Sequence, residues 1–229
     1  MYMISHTHKF IFVHIPKCAG TSIENYLRPY SSDVDGCKWA RQTKNLRNRG
    51  LFNLLERHSD YFKFTMCRNP YTRAVSIYRW LFEKDMTFNQ FLEKVKMFLE
   101  SKPERAYELI ENNNCLLKDN DPDKFNYTNM VRNIIGYPCG MEAYHTLPQM
   151  YFIENRSIDF VGRVEKISED FNTIVDKINI PNKRALYNHN YNHMDSEKYK
   201  QYYDSECREL VEDIYGNDIE TLNYTYPFE

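Results

Sequence analysis

Apolar positions fall into strand-like and helix-like patterns along this chain. Phe10-Ile-Phe-Val-His-Ile15 is a short run of β-branched and aromatic residues, the pattern of a buried strand. Pro16 has no N–H to give to a neighbouring strand and stops the ladder. Tyr61-Phe-Lys-Phe-Thr-Met-Cys67 alternates and predicts a second strand, and Ile158–Val164 predicts another. Helical spacing begins at Ile23–Leu27, with Thr21 or Ser22 as N-cap, and continues over Leu51–Arg57 before a turn at His58–Asp60. It returns over Tyr71–Leu81, where Asn69 suits the N-cap and Pro70 the first helical position. An amphipathic helix follows from Thr87 to Leu99, marked by Phe88, Phe91, Leu92, Val95, Phe98 and Leu99. Met150–Ile153 reads as a strand or short segment. Ser168 is the expected cap of a helix running to about Ile178, and two more helices are expected over Glu197–Tyr203 and Ser205–Tyr215.

The first strand leads into Lys17-Cys-Ala-Gly-Thr-Ser22, a loop of small residues apart from its lysine. A strand, a tight loop and a helix start together form an anion site. Backbone N–H groups and the positive end of the helix dipole both face the loop. Lys17 adds a full charge, and the Thr21 and Ser22 hydroxyls add donors. The same residues would also suit an ordinary strand-to-helix turn with a solvated lysine. The loop is not a Walker A sequence, because its lysine precedes the single glycine and no Gly-Lys-Ser/Thr follows.

Length and composition narrow the field. With 229 residues, 42% hydrophobic and 27% charged, the chain is expected to form one globular domain over residues 1–229. A net charge of −2 argues against a general nucleic-acid binder, so any anionic ligand must be held by local charge. No run approaches 18 apolar residues, and the residues before the first strand lack the apolar core of a secretory signal. No membrane span is therefore expected, and the chain reads as soluble and cytoplasmic. The six cysteines, 18, 37, 67, 115, 139 and 207, include no C-x-x-C pair and are read as reduced thiols. His189 and His193 make a weak metal motif in a loop, so no metal site is assigned. The stripe Lys38, Arg41, Lys44 and Arg47 is either a docking face for an acidic acceptor or a solvated helix face.

Arg68 stands at the C-terminal end of the second predicted strand, where open α/β sheets bind ligands, and Ser76 lies two turns into the helix that follows. Two basic strand ends suit a ligand with two separate phosphate-like groups. On Ile15-Pro-Lys-Cys-Ala-Gly-Thr-Ser-Ile23 and Phe64-Thr-Met-Cys-Arg-Asn-Pro-Tyr-Thr-Arg-Ala-Val-Ser-Ile-Tyr78 the chain resembles the sulfotransferases that use 3′-phosphoadenosine 5′-phosphosulfate (PAPS). Later segments, His145-Thr-Leu-Pro-Gln149 and Asp159-Phe-Val-Gly-Arg-Val-Glu165 among them, are similar to the carbohydrate O-sulfotransferase branch.

The resemblance implies a P-loop-like α/β fold, with a parallel sheet flanked by helices. It implies sulfuryl transfer from PAPS, a co-substrate, to the hydroxyl of a small-molecule or glycan acceptor. Lys17 would contact the 5′-phosphosulfate, the backbone of Cys18, Ala19, Gly20, Thr21 and Ser22 the 5′-phosphate, and Arg68 with Ser76 the 3′-phosphate. Lys183 and Arg184 are further candidates for that phosphate. The chain departs from many relatives in lacking a histidine over Lys38–Leu55. His58, His145 and Glu24 are the remaining candidates for the general base. A nucleotide kinase and a non-catalytic nucleotide- or glycan-binding protein are the alternatives.

Overall fold

The computed structural model describes residues 2–31, 54–101, 144–181, 186 and 196–228, of which 101, 196 and 197 are backbone only. The basic stripe from Lys38, Lys183, Arg184, His189 and His193 lie outside the described residues. The chain divides into two units, Met1–Arg68 with Gln149–His193, and Asn69–Pro148 with Met194–Glu229.

The first unit is built on four strands, β1 (Tyr2–Ser5), β2 (Phe10–Val13), β3 (Phe62–Cys67) and β4 (Phe160–Arg163), in the order β1-β2-β3-β4. β2, β3 and β4 are parallel, with Phe10 opposite Phe62 and Phe64 opposite Phe160. The expected parallel sheet needs one correction, because β1 runs antiparallel to β2, with Tyr2 opposite Val13. Only residues 6–9 join β1 to β2, ending with Lys9 at φ 49°, and a parallel crossover needs a dozen residues or more.

The helices are α1 (Gly20–Leu27), α2 (Pro70–Leu81), α3 (Phe88–Ser101), α4 (Met150–Ile153), α5 (Ile167–Lys177), α6 (Ser196–Lys200) and α7 (Ser205–Thr221). β2 is buried at every position, and its alternate residues serve two different packing layers. Phe10 and Phe12 lie against Phe64, the latter ring stacked at 5.2 Å. Ile11 and Val13 join Ile4 and Leu55 in a separate apolar cluster. Tyr26 of α1 meets Phe171 of α5 edge-on at 4.9 Å.

Several elements differ from expectation in type or extent. β2 ends at Val13, two residues early. Met150–Ile153 is a single helical turn rather than a strand, entered from Gln149 in helical geometry. α5 begins at Ile167, out of a 3-10 turn, with Lys166 at the cap, so Ser168 lies inside the helix. Asp170 is turned back to accept the Arg163 N–H at 2.6 Å, tying the helix start to the end of β4.

The second unit is helical. Asn69 caps α2 by accepting the Tyr71 N–H at 3.1 Å, and Pro70 takes the first position as its fixed φ allows. Thr87 and Gln90 exchange hydrogen bonds, Gln90 Oε1 accepting from Thr87 N–H (3.1 Å) and Thr87 Oγ1 from Gln90 N–H (3.3 Å). This capping box starts α3. Phe91 packs against Phe82 at 5.0 Å and Tyr78 at 5.8 Å. α7 runs past the expected end at Tyr215, which leaves helical geometry (φ −120°, ψ 21°), and reaches Thr221. The kinked Tyr215 gives its hydroxyl to the Thr146 carbonyl at 2.9 Å. No helix among the described residues is long and apolar enough to cross a membrane.

Candidate functional site

The loop between β2 and α1 has an unusual backbone. Lys17 and Ala19 both have positive φ, 66° and 60°, two non-glycine residues in the left-handed region within three positions. Such residues are uncommon, cost of order 1–3 kcal/mol each, and cluster at ligand sites. The loop is pinned by the Cys18 N–H to the Ile15 carbonyl at 3.3 Å. Ala19 is the cap of α1 and no side chain caps the helix, so Thr21 and Ser22 do not serve as the expected N-cap. The Ser22 and Ile23 N–H groups close on the Ala19 carbonyl at 3.1 and 3.3 Å, and the N–H groups before them have no acceptor in the helix ladder. Left-handed and helical residues in succession form an anion-binding concavity at the positive end of a helix.

The start of α1 is decided from beneath. The His14 imidazole lies against Gly20 so closely that a Cβ there would fall 2.1 Å from its Nε2. His14 is held in place by Glu24, its Nδ1 2.7 Å from Glu24 Oε1, and by stacking on Phe12 at 5.9 Å. Both members of the pair are buried. Glu24, a candidate base on the sequence, is buried and paired with His14.

Arg68 follows directly after β3, and its guanidinium Nη1 donates to the Lys17 carbonyl at 3.4 Å, a long bond. Lys17, the Cys18–Ser22 loop and Arg68 are thereby brought together in the first unit, at the C-terminal ends of two parallel strands. Gln149, fully buried, completes the arrangement. Its Oε1 accepts from the Arg68 N–H at 2.8 Å and from the Cys18 thiol at 3.3 Å, while its Nε2 donates to the Arg68 carbonyl at 2.9 Å. Sequence reading named Gln149 only as part of a resembling segment and gave it no role. Its partners lie 81 and 131 residues away, so no local pattern marks it.

His58 does not join them. It precedes β3, in a turn where its ring lies 4.6 Å from Tyr61 and 5.3 Å from His6. The six residues of β3, at about 3.3 Å each, put roughly 20 Å of strand between that turn and Arg68. The expectation that His58 serves as base is corrected on this ground.

Ser76 and His145 belong to the second unit. Ser76 lies within α2 and is half-buried. The His145 ring meets Trp80 at 4.8 Å, and its carbonyl accepts from Arg73 Nη2 at 3.0 Å. Arg73 is almost wholly buried, with its guanidinium 5.9 Å from the Tyr215 ring centre. Arg73→Met is expected to leave the His145 carbonyl without this donor and to cost about 1–3 kcal/mol, measured by urea unfolding. At the start of the same helix, burial and then Glu212, which accepts from its hydroxyl at 2.8 Å, push the Tyr71 phenol well above its usual range. Among the described residues no group of three or more His, Cys, Asp or Glu is placed to hold a metal ion.

No solved structure gives a significant match to the chain. Among curated proteins it is similar to carbohydrate sulfotransferase 9 of Homo sapiens, with 21% identity over 240 residues. The match takes in 96% of this chain and 52% of that protein, so the chain spans about half the length of the relative. It overturns the cytoplasmic expectation, which rested on the lack of an apolar segment, because the carbohydrate sulfotransferases are a family of Golgi enzymes. A model of the sulfotransferase family matches residues 1–225, and the chain belongs to that family.

Proposed function

We propose that the protein transfers a sulfuryl group from PAPS to an acceptor hydroxyl, with a carbohydrate as the acceptor class. The observation that carries this reading is the loop itself, two left-handed residues at an uncapped helix start with the Arg68 guanidinium on the Lys17 carbonyl. The acceptor class rests on the similarity to a carbohydrate sulfotransferase. The loop's position between a parallel strand and a helix supports a P-loop-like fold, and the family match over 1–225 supports one functional domain.

The residues divide the work by charge. The acceptor oxygen forms a bond to sulfur as the sulfur–oxygen bond to the 5′-phosphate breaks, and the electron pair leaves on the phosphate oxygen. Lys17 and the backbone N–H groups of Ala19, Gly20 and Thr21 stabilise that developing charge, the kind of preorganised donor set such a transition state needs, while the Cys18 and Ser22 N–H groups are given to the Ile15 and Ala19 carbonyls and shape the loop. Arg68 holds the 3′-phosphate, and Ser76 is assigned to the same group from the family resemblance. His145 remains the histidine proposed to take the acceptor proton, since Glu24 is bound to His14 and His58 stands at the far end of β3.

Calorimetric titration with 3′-phosphoadenosine 5′-phosphate tests the donor site. The native protein is expected to bind it, and Arg68→Ala to bind roughly 10- to 150-fold more weakly, the worth of a charged hydrogen bond. Failure of the folded native protein to bind would sink the assignment. A second reading, a donor-binding protein without turnover, is favoured by the pairing of the candidate base Glu24 with the buried His14. Incubation with labelled PAPS and a panel of glycans decides between the two: labelled product supports the enzyme, and binding without product the alternative.

A further inference from the structure

The loop after β2 and the end of β3 are joined by one side chain. Gln149 is buried at 0% exposure, and three bonds fix its carboxamide. Two of them take both polar groups of the Arg68 backbone, its N–H at 2.8 Å and its carbonyl at 2.9 Å. The third goes to the Cys18 thiol, inside the loop, at 3.3 Å. A thiol is a weak donor, whereas two amide bonds to one residue leave it little freedom to rotate. Arg68 lies just past the last ladder position of β3, where the sheet no longer restrains its backbone. Gln149 supplies that restraint, and the Arg68 guanidinium reaches back to the Lys17 carbonyl.

We propose that Gln149 is a positioning residue that sets the aim of Arg68 and so governs how strongly the protein distinguishes a nucleotide with a 3′-phosphate from one without it. The proposal rests on the assignment of Arg68 to the 3′-phosphate. In this role Gln149 acts through the Arg68 backbone it holds. A role confined to stability would weaken both kinds of nucleotide together; a positioning role weakens one.

The test compares 3′-phosphoadenosine 5′-phosphate with adenosine 5′-monophosphate by calorimetry, on native protein, Gln149→Met, Arg68→Ala and the double variant. Circular dichroism monitors the fold. If Gln149→Met does not fold, Gln149→Asn takes its place, since its amide is one methylene too short to span both partners. The expected result is a loss of at least tenfold for the bisphosphate and less than threefold for the monophosphate. The double variant should bind the bisphosphate no more weakly than Arg68→Ala, because residues that act as a unit are not additive. Equal losses for the two nucleotides, an additive double variant or no loss would each overturn the proposal while leaving the donor site intact. Native protein that prefers neither nucleotide would overturn the assignment of Arg68, and this proposal with it.

Discussion

Lys17→Ala is expected to lower the rate of sulfuryl transfer by roughly 100- to 1000-fold, the effect of removing one preorganised donor from a developing oxyanion. Its binding of 3′-phosphoadenosine 5′-phosphate should weaken much less, because the charge that the proposed role has Lys17 stabilise is largest while the sulfur–oxygen bond is breaking. The substitution is a clean one for the backbone. Lys17 already occupies the left-handed region at φ 66°, where alanine is strained to a similar degree, so the loop should keep its shape. Steady-state rates with labelled PAPS, set beside calorimetry on the same preparations, check the prediction. A variant with native turnover would remove Lys17 from the mechanism.

Gly20→Ala is expected to have the largest effect on folding. The added Cβ would stand 2.1 Å from His14 Nε2 and 2.2 Å from its Cδ2, well inside contact distance. The ring has no easy retreat, since Glu24 holds it at 2.7 Å and Phe12 stacks on it. Either the imidazole leaves a buried carboxylate or the first turn of α1 moves away, and overpacking of this kind costs about 1–3 kcal/mol or more. Urea unfolding measures it directly. Gly216→Ala is the control, because nothing lies within 4 Å of the corresponding position in α7. It should leave stability unchanged or slightly raised, as helix propensity favours alanine. Similar losses at both positions would mean that His14 does not dictate the start of α1.

Where the chemistry is local, the sequence already contained the answer. Asn69 and Pro70 start α2 because a side-chain acceptor and a fixed φ act on residues within one turn. The buried strand at Phe10 and the alternating strand at Phe62 were legible because both depend on which residues suit a sheet position. The Lys17 loop and Arg68 were legible as strand ends with basic residues, and the family match agrees with the resemblance they carry.

Other features were not, each for a physical reason. His58 stands only ten positions before Arg68, but an extended strand turns that short count into the length of the sheet. Glu24 sits where a helix surface residue would, and only the nearness of His14 makes it a buried partner. The N-cap of α1 shifted from Thr21 or Ser22 to Ala19, in a backbone geometry that propensity disfavours for alanine. Residue types and their spacing thus determined most of the elements, the two basic strand ends and the family. Only the tertiary structure decided the hidden supports, His14 under Gly20, Glu24 beside His14 and Gln149 across Arg68 and Cys18. Those contacts join residues from 6 positions apart (His14 and Gly20) to 131 (Cys18 and Gln149), and it is packing, not local preference, that brings such partners together.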